Sequence, residues 1–218
     1  MELLLVRHGL TAWNSSGRFQ GRSDIPLSLD GVAQARAAAE ALAEERIDAA
    51  FSSDLLRAAV TAETILFGRP IPIALDARLR EFDFGAWEGK TWAEITDAFP
   101  SVGGATFTSA RDYHPQDGET FADVRRRVGS WLAEIAPYDD RRILVVAHAG
   151  TLHALLAELL GPAFDAMTVR FSHASITRIE YVDRTARLLT LDDTAHLRAP
   201  KVPPAVVPSL RRGERPGD

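Results

Sequence analysis

The sequence predicts an α/β protein with three layers, α/β/α, around a mostly parallel central sheet. An irregular lid is inserted over the carboxyl ends of the strands. Three observations predict this. Apolar runs of strand length alternate with helical patterns, which calls for crossover connections. The runs Leu3-Leu4-Leu5-Val6 and Ile143-Leu144-Val145-Val146-Ala147 are continuous rather than alternating, as strands covered on both faces are. Arg7-His8-Gly9 follows the first run directly, which puts a cation and an imidazole at the edge where such sheets bind ligands.

Taken in order, strands are expected at Glu2–Val6, Ala49–Ser52, Ile71–Leu75, Arg142–Ala147, Ser175–Val182 and Arg187–Leu191. Ser28 is the N-cap of a helix reaching about Glu45, with Val32, Ala35, Ala39 and Leu42 on one face. Gly31 stands where a capping box needs Glu or Gln, so this start lacks the reciprocal bond. A second helix follows Ser53 or Asp54 with Leu55, Ala59, Ala62 and Leu66 in register. A third, from about Glu119 to Ile135, turns Val124, Val128, Trp131, Leu132 and Ile135 inward and leaves Arg125-Arg126-Arg127 on a solvated face. The fourth, Thr151–Leu160, follows Ala149-Gly150 and is stopped by Gly161-Pro162. Between Glu81 and Gly118 the pattern breaks. Trp87, Trp92, Phe99, Phe107 and Tyr113 lie among Gly, Pro, Ser and Thr, with one short helix near Trp92–Phe99. Such a segment reads as a lid, here residues 82–118, in which Trp87 and Trp92 serve packing. A single domain over 1–197 and a mobile Pro- and Arg-rich tail over 198–218 are expected.

Of the 218 residues, 46% are hydrophobic and 25% charged, which is ordinary for a globular chain. No apolar run approaches the roughly 18 residues of a membrane span, so no membrane partner is expected. The absence of cysteine excludes a disulfide framework and thiolate metal sites. The chain enters its first strand without the segments of a secretory signal, so a cytoplasmic location is expected. A net charge of −5 argues against a nucleic-acid partner. The oligomeric state stays open, with a dimer admissible.

Reactive residues fall where strands end or helices begin. Arg7 and His8 follow the first strand, Arg57 lies in the first turn of the second helix, Glu81 heads the irregular segment, and His148 ends the strand before Ala149-Gly150. Helix starts offer free amides and a positive dipole end, which suits an anion. Two arginines, two histidines and several amides converging on one pocket match the oxygens of a phosphoryl group. A lone carboxylate beside them is no anion ligand; its sensible role is to donate a proton to a leaving oxygen. The structural alternative for Glu81 is a salt bridge to Arg78 or Arg80. No metal is expected, since no spacing such as His-Glu-x-x-His occurs.

These segments resemble the histidine phosphatase superfamily, in its phosphoglycerate-mutase-like branch. The likeness rests on Leu5-Val6-Arg7-His8-Gly9-Leu10-Thr11-Ala12-Trp13-Asn14, Phe19-Gln20-Gly21, Pro26-Leu27-Ser28, Ser52-Ser53-Asp54-Leu55-Leu56-Arg57-Ala58, Leu79-Arg80-Glu81-Phe82-Asp83-Phe84-Gly85-Ala86-Trp87-Glu88-Gly89 and Val146-Ala147-His148-Ala149-Gly150, in family order. The resemblance implies that His8 attacks phosphorus and carries a transient phosphohistidine. It implies that Arg7, Arg57 and His148 hold the phosphoryl oxygens while Glu81 acts as general acid and then base. Thr11, Asn14, Gln20, Gly21, Ala149 and Gly150 would complete the phosphate cradle, with no cofactor. Three positions depart from the family pattern: Leu10 replaces a common Glu, His153 an Arg, and His173 an Asn.

The resemblance thus implies a metal-independent phosphatase for a small phosphorylated metabolite. Trp87-Glu88-Gly89-Lys90-Thr91 and His114-Pro115-Gln116-Asp117-Gly118-Glu119-Thr120 are similar to the broad-specificity and α-ribazole-phosphatase-like members. A cofactor-dependent phosphoglycerate mutase is the alternative, kept open by Lys90 and Arg111. A non-catalytic phosphate-binding or docking relative is the third, although a binder has no need of Glu81.

Overall fold

The computed structural model describes residues 1–102, 115, 117–137, 140–161, 164, 168–183 and 185–198. Its strands are β1 (Glu2–Arg7), β2 (Ala49–Ser52), β3 (Ile73–Leu75), β4 (Arg142–Ala147), β5 (Ile176–Val182) and β6 (Thr185–Asp193). Among them run α1 (Ala12–Ser15), α2 (Leu29–Ala41), α3 (Leu56–Ile65), α4 (Trp92–Ala98), α5 (Phe121–Ile135) and α6 (Ala149–Leu160). The strands form one sheet in the order β3-β2-β4-β1-β5-β6. Neighbours are parallel from β3 to β1, while β5 runs antiparallel to both β1 and β6.

Side-chain alternation divides the core in two. Leu3, Leu5, Ile143, Val145 and Ala147 pack with Val124, Val128, Trp131 and Leu155, from α5 and α6. Leu4, Val6, Leu144 and Val146 face the other way, onto Ala38, Ala58, Ala62 and Ile65, from α2 and α3. That is the three-layer arrangement expected from continuous apolar strands. Trp131 is fully buried and meets Phe51 edge-on, with ring centroids 5.5 Å apart.

Register positions the site. Arg7 of β1 pairs with Ala147 of β4, and Ser52 of β2 pairs with Val146. One residue further along, His8, Ser53 and His148 therefore emerge side by side at the carboxyl edge. The ladder continues to this point, with His8 N–H donating to Ala147 O at 3.0 Å and Ser53 N–H to Val146 O at 3.0 Å.

Several element ends differ from the sequence expectation. α2 stops at Ala41 rather than near Glu45, because Arg69 takes up the Leu42 and Glu45 carbonyls (3.1 and 2.7 Å) and closes the turn. Ser28 caps α2 through Gly31 N–H, without a reciprocal bond. Leu55, not Ser53 or Asp54, occupies the N-cap of α3; the Leu56 amide is instead held by Asp24 Oδ1 at 2.7 Å. α5 begins at Phe121 behind a Thr120–Asp123 capping box. The four-residue α1, capped by Thr11, is too short to leave a periodic signature.

Of the lid, residues 103–114 and 116, including Phe107, Arg111, Tyr113 and His114, lie outside the described residues, as does the tail from 199 onward. The described part folds on itself: Trp87, Ile95 and Val102 are buried together with Phe19, Phe84, Trp92 and Phe99 against them. Trp87 and Trp92 thus serve packing. Phe19 fastens this cluster to the chain after α1, donating its N–H to Lys90 O (2.9 Å) and accepting from Gly89 N–H (2.8 Å).

Candidate active site

A cavity of about 630 Å³ opens over the carboxyl ends of β1 and β4. Arg7, His8, Asn14, Gln20, Gly21, Arg57, Glu81, Ala149 and Gly150 all line it. Thr11 and His148 do not line it; both are buried directly behind the wall.

His8 is 2% exposed, and its Nδ1 lies 2.7 Å from its neighbour's carbonyl, Gly9 O. A carbonyl only accepts, so Nδ1 carries the proton and Nε2 holds the free lone pair. Burial, with the Arg57 and Arg7 charges, drives the His8 pKa well below its ordinary value. The ring is therefore neutral, with its Nε2 lone pair free.

His148 lies behind it, ring centroids 5.1 Å apart, with its pKa likewise pushed well down by burial and Arg57. Arg57 Nε donates to His148 Nδ1 at 3.2 Å, so the proton sits on Nε2, which faces Ser53 Oγ at 2.8 Å. Arg57 is 0% exposed, and its other donors are fixed by Gly21 O (2.7 Å) and Ser23 O (2.8 Å). Glu88 shapes that loop by accepting from the Arg22 and Ser23 amides (2.8 and 2.9 Å) and the Ser23 hydroxyl (2.6 Å). Thr11 supports the same wall, with its hydroxyl oxygen 3.0 Å from both Asn14 Oδ1 and Gln20 Oε1.

Arg7 donates from Nη1 to Phe171 O at 2.6 Å, while its buried Nε has no hydrogen-bond partner. Burial lowers its pKa to about 10, which leaves it cationic at neutral pH. Glu81 completes the site, accepting from Phe82 N–H (3.0 Å) and from Gly150 N–H in the first turn of α6 (3.2 Å). It pairs with neither neighbouring arginine. Arg78 goes to Asp76 and Glu134, and Arg80 to Asp54. Gly150 is required sterically, since a Cβ there would collide with Glu81 Oε1 and the Phe82 ring.

The Glu81 backbone is held from behind by a residue expected on a solvated face. Arg126 is exposed, but Arg127 is turned inward. It donates to Glu81 O (3.1 Å), to Arg78 O (2.6 Å) and to both carboxylate oxygens of Glu119 (3.0 Å each). The helical pattern puts Arg127 on the polar side with Arg125 and Arg126; its carbonyl partners come from a distant segment and leave no local signal. His173, marked in the sequence only as a departure from the family pattern, also reaches the site. Its ring meets His8 edge-on at 5.7 Å, Nε2 is buried without a partner, and burial lowers its pKa to about 3.

A family model described as histidine phosphatase superfamily (branch 1) matches residues 3–194. The chain belongs to that superfamily. Phosphoserine phosphatase 1 of Hydrogenobacter thermophilus is 31% identical, over 90% of this chain and 94% of that protein. A protein named "Probable phosphoglycerate mutase GpmB" from Enterobacter sp. (strain 638) is 36% identical, over 83% and 85%. The structure of mycobacterial glucosyl-3-phosphoglycerate phosphatase with VO3 superposes with a TM-score of 0.81 at 32% identity, covering 88% and 99%. The fold of this histidine phosphatase matches such structures, and no helix among its described residues is long and apolar enough to cross a membrane.

Proposed function

We propose that this histidine phosphatase is a metal-independent phosphomonoesterase for small phosphorylated metabolites, working through a phosphohistidine on His8. The observation that carries this reading is one wall presenting a neutral imidazole with a free Nε2, a buried and a half-buried cation, and a separately held carboxylate. Arg7 and Arg57 together match the charge of a phosphomonoester dianion, and the unpartnered Arg7 Nε is a donor for one of its oxygens. Asn14, Gln20, Gly21 and Ala149 line the same space. Thr11 and His148 act from behind, by fixing Asn14, Gln20 and Arg57.

In the first step His8 Nε2 forms a bond to phosphorus as the bond to the ester oxygen breaks. Glu81 gives its proton to that oxygen, and the alcohol leaves. In the second, water attacks the phosphohistidine, Glu81 takes back a proton, and inorganic phosphate is released. The pre-placed cations stabilise charge on the transferring group, which is most of what phosphoryl transfer asks of a protein. A mutase reading draws on the GpmB-named relative and shares the first step, with a second substrate hydroxyl in place of water.

Hydrolysis of p-nitrophenyl phosphate in excess EDTA tests the proposal. Full activity that is lost in His8→Ala, with acid-labile phosphate trapped on the wild type, is the expected result. Loss on chelation refutes the metal-free mechanism, and an inactive wild type favours a non-catalytic docking relative. Glu81→Gln should lose far more activity on alkyl phosphates than on p-nitrophenyl phosphate, since only a poor leaving group needs the proton. Faster phosphate transfer to 3-phosphoglycerate than to water, primed with 2,3-bisphosphoglycerate, would favour the mutase.

A further inference from the structure

Arg170 stands on the cavity wall in the segment that leads to β5. Its backbone is clamped on both sides. Val169 O accepts from His153 Nε2 at 2.8 Å, and Phe171 O accepts from Arg7 at 2.6 Å. The Arg170 residue itself is exposed, and its charge acts on Arg7 and His173.

The other charged groups lining the cavity are accounted for. Arg18 is tied to Glu94 (2.8 Å) and Gly89 O (2.6 Å), and Glu119 to Arg127 and Arg22 (3.0 Å each). Arg7 and Arg57 answer the two charges of the phosphoryl group, and Glu81 carries the proton it donates. Arg170 has neither hydrogen bond nor ion pair among the described residues. One guanidinium on the wall is thus left over after a phosphoryl dianion is seated. A guanidinium on a fixed backbone is a fork for a carboxylate or phosphate.

We propose that Arg170 binds a second anionic group on the substrate, so that this site prefers phosphomonoesters whose alcohol part carries a carboxylate or a second phosphoryl group. This rests on the phosphatase reading above. The cavity is far larger than a phosphoryl group, so both anions fit within it. Arg170 touches the part of the substrate that departs, which makes it a determinant of specificity rather than of the chemical step.

Two matched pairs test it. 3-Phosphoglycerate and glycerol 3-phosphate differ at one terminal carbon, a carboxylate against a hydroxymethyl group. Fructose 1,6-bisphosphate and fructose 6-phosphate differ by a second phosphoryl group. The wild type should favour the doubly anionic member of at least one pair by about tenfold in kcat/KM, the scale of one charge-assisted contact. The two pairs tell a carboxylate subsite from a phosphate subsite. Arg170→Ala should collapse that ratio toward one, mainly through KM, and Arg170→Lys should restore part of it. A ratio unchanged in Arg170→Ala, or near one in the wild type for both pairs, overturns the proposal.

Equilibrium binding keeps the test separate from turnover. In the His8→Ala background, calorimetry with 3-phosphoglycerate and fructose 1,6-bisphosphate should show tighter binding than in His8→Ala/Arg170→Ala. Equal affinity of the two variants for both ligands refutes the Arg170 subsite even if the wild type hydrolyses nothing. Absent hydrolysis of every ester, p-nitrophenyl phosphate included, refutes the phosphatase reading instead.

Discussion

Acidification should destabilise this protein in a pH range where most proteins of its size are unaffected, because two histidines, His8 and His148, are buried neutral and a third, His173, is half-buried and neutral. His8 and His148 have pKa values well below their ordinary value, and that of His173 falls to about 3; in each case burial is the largest cause. In the unfolded chain each titrates near 6.5. Below that pH the unfolded state binds three protons that the folded state refuses, so stability falls as pH falls. The window opens near pH 6.5 and closes only where the folded-state groups themselves protonate, about pH 3 for His173. At pH 5.5 an unfolded histidine is about nine-tenths protonated, which costs the fold about 1.4 kcal/mol per residue relative to neutral pH. Together the three cost about 4 kcal/mol, a large share of the ~5–15 kcal/mol typical of a domain. Urea denaturation at pH 7.5 and 5.5, in a buffer free of phosphate, reads this directly as a drop in midpoint. Asp48, Asp54, Asp76 and Asp123, which hydrogen bonds hold below their ordinary values, contribute little across that interval, since they are ionised in both states. An unchanged midpoint, or folded-state imidazole proton resonances for these residues that titrate near 6.5, would refute the reasoning.

Three further outcomes follow from the same contacts. Arg127→Met should lower kcat on alkyl phosphates more than on p-nitrophenyl phosphate, with KM little changed, because Glu81 loses its backbone anchor; equal loss on both substrates would argue against positioning. Gly150→Ala should displace Glu81 and cut kcat at least tenfold, while a thermal melt shows the fold retained. Trp131→Ala should destabilise by about 3–5 kcal/mol in urea, since it empties the centre of the α5 and α6 layer.

How much of this was legible beforehand follows from the range of each interaction. All six strands are legible because their patterns are local: continuous apolar runs in β1 and β4, and alternation or short β-branched and aromatic stretches in the rest. Register then brings His8, Ser53 and His148 side by side, while Arg57 arrives from α3 and Glu81 from a loop, tied in by His148 and the Gly150 amide. What sequence could not show was which side of a boundary residue faces in. Arg127 follows Arg125 and Arg126, which pair at the surface with Glu158 and Asp123, and its inward pose is held by Glu119 and by the Arg78 and Glu81 carbonyls, more than forty residues away. Likewise, Ser53 and Asp54 looked like caps for α3. The tertiary structure uses them elsewhere, Ser53 for His148 and Asp54 for Arg80, and leaves the cap to Asp24 from another loop. Capping preference is a local bias of about 1 kcal/mol, easily outweighed when a site requires the same side chains.

The pairing of the arginines separates structure from chemistry. Arg78, Arg80 and Arg127 are each neutralised by a carboxylate. Arg57 and Arg7 are held instead by carbonyl oxygens and an imidazole, neutral acceptors that fix the guanidinium without cancelling its charge. Burial accordingly lowers the pKa of both. A folded chain that keeps two uncancelled cations beside neutral histidines is less stable than one with those charges paired. An arriving phosphoryl dianion removes that penalty, so anion affinity and folding stability are linked through the same two residues. Burial and the same positive field keep His8 unprotonated. Neutralising either arginine with a protein carboxylate would therefore weaken anion binding and raise the His8 pKa together.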